Sequence, residues 1–195
     1  MLKEQIEILE KLLDEKVSED REEELNNYKQ IKGASDQELD NIEEKFGIKL
    51  PQDFRDFYKH KNGSGYHFHI LYPNCGNENI EPFYLFSADE IIDEKESYFD
   101  EEELMSEHYD EEELEDLDNR IKPYLRNERW IPFATLAGGS LYLMLDYDPS
   151  KEGKEGQIIS YIHDPDFVYF VAENFTELLK QSNENLKETW EEIDY

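Results

Sequence analysis

Histidines, a single cysteine and fifty carboxylates are the groups in this 195-residue sequence that could do chemistry. His67 and His69 are two residues apart, so a strand would put both imidazoles on one face. Together with His60 or His163 and a carboxylate, they could form a zinc-type site. However, the sequence contains no Glu-x-x-His and no cysteine cluster, and paired histidines also occur without a metal. We therefore expect neither a metal site nor a cofactor.

The candidate nucleophiles are Cys75, with His69 six residues before it, and Ser140, which follows Gly138 and Gly139. Neither lies in a nucleophile elbow, and the glycine pair is more simply explained as a turn. Carboxylates are too common here for any pair of them to indicate glycoside hydrolysis. Glycine-rich phosphate loops are absent. We expect no catalytic residues and a protein that is not an enzyme.

The net charge of the chain is −30, from 20 basic and 50 acidic side chains. Such a charge repels nucleic-acid phosphates and anionic lipids, and it attracts basic proteins at a distance. High net charge also keeps a protein soluble, so charge alone does not decide between simple solvation and partner binding. We expect a protein partner, with no binding to nucleic acid or membrane.

The single cysteine and the first ten residues favour a cytoplasmic location for this protein. A lone cysteine cannot form an internal disulfide, which favours a reducing environment. The first ten residues carry acids where a signal peptide needs basic residues, and no apolar run is long enough to cross a bilayer. We expect one cytoplasmic domain with a core large enough to fold without disulfides or metals.

Two core strands around Gly138 and Gly139 form the most apolar stretch, residues 130–148. Further strands are predicted at residues 66–72, 82–86, 157–162 and 167–171. Residues 1–28 are predicted to form one amphipathic helix that docks on the domain through Leu2, Ile6, Leu9 and Leu13. Capping patterns at Ser35 and Ser87 and a proline at position 51 begin further helices. A closing helix follows Asn174 and continues towards Trp190 and Ile193.

Residues 89–118 form an acidic insertion with 17 acids in 30 residues. We expect one or two acidic helices lightly anchored on the body, which are either a solvated insertion or a docking surface for a basic partner. Aromatic rings within a polar surround favour binding hot spots. The predicted partner-binding residues are Tyr98, Phe99, Asp100, Glu101, Glu102, Glu103, Tyr109, Asp110, Glu111, Glu112 and Glu113.

The order of several motifs resembles the Smi1/Knr4 (SUKH) superfamily over residues 32–181. These motifs are Ile42-Glu43 with Phe46-Gly47, Leu50-Pro51-x-Asp53-Phe54-x-x-Phe57-Tyr58, Asn62-Gly63, Trp130-Ile131-Pro132-Phe133-Ala134, Gly139-x-Leu141-x-Leu143-x-Leu145-Asp146, Tyr161 and Asn174-Phe175-x-x-Leu178-Leu179. The resemblance implies an α+β fold with a largely antiparallel sheet of about six strands and helices packed against it. Residues 1–31 would then be an N-terminal helix and residues 182–195 a C-terminal helical extension.

The resemblance also implies a role in binding. Bacterial members of this superfamily are commonly immunity proteins that neutralise polymorphic toxins, many of them nucleases, and fungal members regulate cell-wall synthesis through protein contacts. The longer acidic insertion and the Ala137-Gly138-Gly139-Ser140 turn depart from the family pattern, so the binding face is expected to be individual to this chain. The two hypotheses are an immunity protein that binds a basic toxin domain, and a non-catalytic regulatory or scaffold module. The sequence does not set the oligomeric state.

Overall fold

The computed structural model describes residues 1–76, 80–136 and 139–188, and within these ranges the chain adopts an α+β fold. A five-stranded antiparallel sheet in the order β1-β4-β5-β6-β7 forms its centre. The strands are β1 (Tyr84–Leu85), β4 (Trp130–Thr135), β5 (Leu141–Asp146), β6 (Gln157–Ile162) and β7 (Phe167–Ala172). A separate antiparallel pair consists of β2 (Glu103–Leu104) and β3 (Tyr124–Arg126). This arrangement confirms the predicted fold class.

The predicted core hairpin is confirmed as β4 and β5. All residues of β4 are buried. A β-bulge between Pro132 and Ala134 makes Phe133 the extra residue, because Pro132 pairs with Met144 and Ala134 pairs with the adjacent Leu143 of β5. The turn closes with Leu136 N–H donating to Leu141 O at 3.2 Å, and Gly139 has φ +70°, which favours glycine. Ala137 and Gly138, the rest of the predicted turn, lie outside the described residues.

Helices cover one face of this sheet, and the side chain of Glu94 on one of them reaches the opposite face at Tyr142. The helices are α1 (Leu2–Lys16), α2 (Glu22–Gln30), α3 (Asp36–Phe46), α4 (Gln52–His60), α5 (Ala88–Tyr98) and α6 (Phe175–Glu188). Phe54 of α4 packs edge-on against Phe133 and Phe175, with ring centroids 5.4 Å and 5.5 Å apart. Helix α6 contacts β6 and β7, and α1 packs against α6. No helix in these described ranges is both long and apolar enough to cross a membrane.

The predicted capping residues begin α3 and α5. Ser35 N donates to Glu38 Oε2 at 2.7 Å while Glu38 N donates back to Ser35 Oγ, and Ser87 with Glu90 repeats the pattern. Gly47 ends α3 with φ +62°. Helix α6 reaches Glu188, while Trp190 and Ile193 of the predicted C-terminal extension lie outside the described residues.

The prediction of a single helix over residues 1–28 is wrong. Ile6, Leu9 and Leu13 of the predicted stripe are buried and Leu2 is half-buried, but the chain turns between α1 and α2 through extended Val17 and a short 3₁₀ turn. The cause is Arg21, a buried side chain whose guanidinium donates to His67 O at 2.9 Å and lies over the Phe68 ring. The turn after α1 places Arg21 where it makes this long-range contact.

The predicted strand over residues 66–72 is also wrong. His67 has φ +57°, so the side-chain alternation fails at the two histidines. Only a single bridge, Leu71 to Phe83, joins this segment to its neighbour. As a result the strand predicted over residues 82–86 is reduced to β1. Residues 77–79 of the loop between them lie outside the described residues.

Residues 99–126 cover the other face of the sheet. Tyr142, Gln157 and Phe170 share that face by strand register. Phe99 packs edge-on against Tyr142 at 5.0 Å, Arg120 O accepts from Gln157 Nε2 at 3.0 Å, and the Arg120 guanidinium stacks over Phe170 at 3.2 Å. Of the one or two acidic helices predicted over residues 89–118, the structure has one, α5, which ends at Tyr98. A short strand with 3₁₀ turns follows in place of a second helix, held by buried Phe99 and Met105.

Candidate partner-binding site

A tyrosine-rich cleft of about 530 Å³ opens where the end of α5 meets β1, β5 and β6. We call it the tyrosine cleft. Two of its aromatic side chains are strongly exposed: Tyr66 at 75% and Tyr98 at 59%. Its lining consists of Tyr66, Tyr84, Phe86, Glu94, Tyr98, Phe99, Arg126, Thr135, Gly139, Tyr142, Tyr161 and His163.

Both basic side chains in the tyrosine cleft already have acidic partners. Arg126 Nε lies 3.5 Å from Glu103 Oε2, and His163 Nδ1 lies 2.5 Å from Asp166 Oδ1. Although burial opposes it, hydrogen bonds from His163 and Tyr161 hold the pKa of Asp166 below its usual value, so this carboxyl stays ionised. Both the Arg126 guanidinium and the His163 ring on this wall are thus in contact with carboxylates.

Glu94 differs from these groups. Its Oε1 accepts a hydrogen bond from the neutral Tyr142 hydroxyl at 2.5 Å, and it forms no ion pair within the described part of the chain. Burial, followed by the Glu94 contact, raises the pKa of Tyr142, and burial raises the pKa of Tyr84 to about 12. Because these phenols remain protonated near neutral pH, they act as hydrogen-bonding and stacking groups and not as nucleophiles.

The predicted aromatic anchors occupy three different environments. Tyr98 is exposed on the lip of the tyrosine cleft, whereas Phe99 is buried at 3% exposure and supports the cleft from below. Tyr109 is half-buried; its hydroxyl donates to Asp166 O and its ring packs edge-on against Phe167 at 5.7 Å. Tyr98 therefore displays its ring to solvent, while Phe99 and Tyr109 hold the chain that follows α5 on the sheet.

The predicted acidic residues lie mostly in solvent. Glu103 is the half-buried member, 2.7 Å from His108 Nε2. Asp110 Oδ1 accepts from Glu112 N and Glu113 N, and Glu113 Oε2 accepts from Asp110 N, so this pair shapes its own turn. The exposed members are Asp100, Glu101, Glu102, Asp110, Glu111, Glu112 and Glu113. We call residues 99–118 the acidic segment.

A larger groove of about 1000 Å³ lies between the α3–α4 connection and residues 147–156. Its lining contains charges of both signs, including Lys49 and Lys154 beside Glu43 and Glu155. Glu43 is engaged by Lys49 Nζ at 2.6 Å and Arg55 at 3.0 Å. This groove has one aromatic lining residue, Tyr147, in place of the several tyrosines that line the tyrosine cleft.

The histidines and the cysteine form no reactive centre within the described ranges. The His67 and His69 rings are 6.3 Å apart, and burial followed by the nearby Arg21 charge lowers the pKa of His69 to about 4. Burial also raises the pKa of the fully buried Cys75 thiol, which keeps it protonated. Among the residues described, no cluster of three or more His, Cys, Asp or Glu could hold a metal ion.

Residues 33–181 match the family model of the SMI1 / KNR4 family (SUKH-1), which is about three quarters of the chain. The chain belongs to the SMI1/KNR4 family. SMI1/KNR4 proteins are typically non-catalytic, and membership is consistent with an immunity-protein role. The match includes the acidic segment and the whole lining of the tyrosine cleft, whereas α1 and α2 precede it. The comparison with curated proteins found no match.

Most of the tyrosine cleft was missed from the sequence. The sequence predicts Tyr98 and Phe99 as partner-binding residues, but it does not predict Glu94, Tyr142 or Tyr161. These residues come from α5, β5 and β6, and only the sheet register brings them together. With 13 tyrosines in the chain, no spacing distinguishes the cleft residues from the others.

Proposed function

We propose that this SMI1/KNR4 protein is a cytosolic immunity protein that binds and neutralises a cognate toxin through its acidic surface. The observation that carries the proposal is the row of exposed carboxylates on the acidic segment, which is held against the sheet by buried Phe99 and Met105. In residues 99–118, His108 is the sole basic side chain by sequence. A firmly held acidic surface suits a basic protein partner.

A toxin that acts on nucleic acid needs a basic groove, and the acidic segment would compete with phosphates for that groove. The −30 net charge would also steer a basic partner and raise its association rate, on the order of 10-fold or more at low salt. Exposed Tyr98 supplies an aromatic contact beside the carboxylates. The proposed role needs no catalysis, cofactor, nucleic acid or membrane.

The test is co-expression with a basic toxin domain encoded beside the gene, scored by cell survival. The informative variant replaces Glu101, Glu102, Glu111 and Glu112 with glutamine, and the control replaces Glu22, Glu23, Glu184 and Glu188, which are exposed on α2 and α6. Both variants lose four negative charges. We expect the first to lose protection and to bind the toxin with a weaker salt dependence, and the second to protect fully.

Two outcomes would contradict the proposal at different levels. Equal loss of protection in both variants would show that only net charge matters and would remove the acidic segment as the binding surface. Survival unaffected by the wild-type protein for every adjacent toxin would overturn the immunity role itself. The regulatory or scaffold hypothesis would then be preferred.

A further inference from the structure

We infer that the tyrosine cleft binds a single cationic side chain, arginine in preference to lysine, presented by a basic protein segment. This inference deepens the proposed function and rests on it only for the identity of the partner. The observation that carries it is the position of a carboxylate without an ion pair, Glu94, in one cleft with two exposed tyrosine rings, Tyr66 and Tyr98.

The charges around the tyrosine cleft favour a cation. Its own basic groups, Arg126 and His163, are already paired with Glu103 and Asp166. Glu94 is met only by a neutral phenol, so its charge lacks a counterion among the residues described. The acidic segment follows directly after Tyr98, which lies on the lip of the cleft, and its carboxylates add further negative potential near the entrance. An anionic ligand would be repelled here.

The aromatic side chains favour arginine among the possible cations. Tyr66 stacks on His67 at 3.9 Å and packs against Tyr84 at 5.8 Å, so its ring is held in place although it is exposed. A planar guanidinium stacks on aromatic faces and forks to a carboxylate, whereas a lysine ammonium does so less well. The volume of about 530 Å³ is large enough to admit such a head group together with its aliphatic stem.

The experiment uses N-acetyl-arginine methylamide as the probe and its citrulline analogue as the neutral isostere. The full chain carries ¹³C-labelled tyrosine rings, and their NMR shifts are followed during each titration at about 150 mM salt. We expect the Tyr66, Tyr98 and Tyr142 signals to move with the arginine probe and to remain fixed with the citrulline analogue. The lysine analogue should bind more weakly than the arginine probe.

Variants at two neighbouring positions of α5 supply the matched comparison. Glu94→Gln keeps an acceptor for the Tyr142 hydroxyl while removing the charge, and Asp93→Asn removes the same charge from an exposed residue that does not line the cleft. We expect Glu94→Gln to weaken arginine binding by about fivefold or more, whereas Asp93→Asn leaves binding close to wild type.

Three results would overturn the inference: tyrosine signals that ignore the arginine probe, equal shifts with the citrulline analogue, or equal affinity in the two α5 variants. The toxin assay separates this inference from the proposed function. Arginine binding without protection from any toxin would contradict immunity but leave the cleft assignment standing. If Glu94→Gln still protects cells and the tyrosine signals do not shift with the arginine probe, the immunity role would stand and the cleft assignment would be contradicted.

Discussion

Glu43 is a buried carboxylate at the end of α3, only 6% exposed. Its oxygens accept from Lys49 Nζ at 2.6 Å and Leu50 N at 2.9 Å, and Arg55 lies at 3.0 Å. Burial alone would raise its pKa, but the hydrogen bonds from Lys49, Leu50 and Arg55 outweigh burial, so the pKa lies below its usual value. Glu43 thereby ties α3 to the start of α4.

Glu43→Gln should destabilise the fold by about 2–4 kcal/mol near pH 7, because Arg55 and Lys49 lose their buried partner. The pKa of Glu43 is lower in the folded state than in the unfolded state, where it is about 4.3. The stability that ionised Glu43 contributes is therefore fully present above the unfolded pKa and is lost as the pH falls through the folded pKa. The difference between wild type and variant should therefore shrink below about pH 4.

Urea unfolding at several pH values measures this difference. Glu44→Gln is the matched control, since Glu44 is the next residue and is exposed. The assigned role would be contradicted if the difference in the free energy of unfolding between wild type and Glu43→Gln did not change with pH. It would also be contradicted if Glu44→Gln lowered that free energy by the same amount.

Residue types alone predicted the exposed carboxylates and Tyr98, because a charged surface and an acidic run are visible in composition. The same reasoning could not predict the Tyr142–Glu94 hydrogen bond, whose partners are 48 residues apart. It also placed Phe99 with Tyr98 as a surface ring, although the chain turns after α5 and buries Phe99. The sequence alone does not show which of two adjacent aromatic residues is exposed and which is buried.

The acidic segment is an element whose attachment can be tested at these two neighbouring aromatic residues. Phe99→Ala should lower the free energy of unfolding by about 3–5 kcal/mol, because it removes a buried ring that packs on Tyr142. Tyr98→Ala should change it by about 0.5 kcal/mol or less, since that ring is mainly in solvent. Denaturant unfolding gives both values.

Hydrogen exchange gives a second readout for the same pair of variants. In Phe99→Ala, amide protection should fall across residues 99–126 more than in β5 and β6. Uniform loss over the whole sheet would instead mean that the segment and the sheet unfold as one unit.

Helix α1 lies before the family match but contributes to the core through Leu9 and Leu13, both fully buried. Leu9→Ala should cost about 2–5 kcal/mol by leaving a cavity at the α1–α6 contact. Lys11→Ala, at an exposed position of the same helix, should cost about 0.5 kcal/mol or less. Thermal or urea unfolding measures the stability lost in each variant. Similar losses in Leu9→Ala and Lys11→Ala would mean that α1 docks only weakly on the domain.

Elements marked by local signals were predicted well. The Ser35 and Ser87 capping boxes and Gly47 fix helix ends within a few residues, so their signals are in the sequence itself. The break at Val17 was not predictable, because it depends on Arg21 reaching His67, 46 residues away. Likewise, the strand predicted at His67 failed because its backbone adopts φ +57°.

At the scale of the whole molecule, 50 acidic side chains against 20 basic ones place the folded state under repulsion. We expect stability to rise as KCl is raised from about 10 mM to about 300 mM, since added salt shortens the screening length. Urea midpoints at each salt concentration measure the effect, and sucrose at equal osmolality is the control for non-ionic effects. Stability that falls with KCl would show that ion pairs outweigh the repulsion.

The overall architecture was predictable because motif order is a property of the chain as a whole. The resemblance to the Smi1/Knr4 superfamily, which rests on that order, implies the antiparallel sheet and the helices packed against it. What covers the opposite face was not predictable: Gln157 and Phe170 meet Arg120 through sheet register and chain crossing, and neither is written in local spacing.

Cys75 is the chain's single cysteine and is fully buried. A shielded, protonated thiol reacts with alkylating reagents only when the structure around it opens. The rate of Cys75 alkylation therefore reports how often the protein opens at this position. Mass spectrometry after timed exposure to iodoacetamide would count opened molecules directly, without an introduced label. If opening at Cys75 is global, alkylation in Leu9→Ala should accelerate about tenfold for every ~1.4 kcal/mol of lost stability, and if only the loop around Cys75 opens it should stay at the wild-type rate.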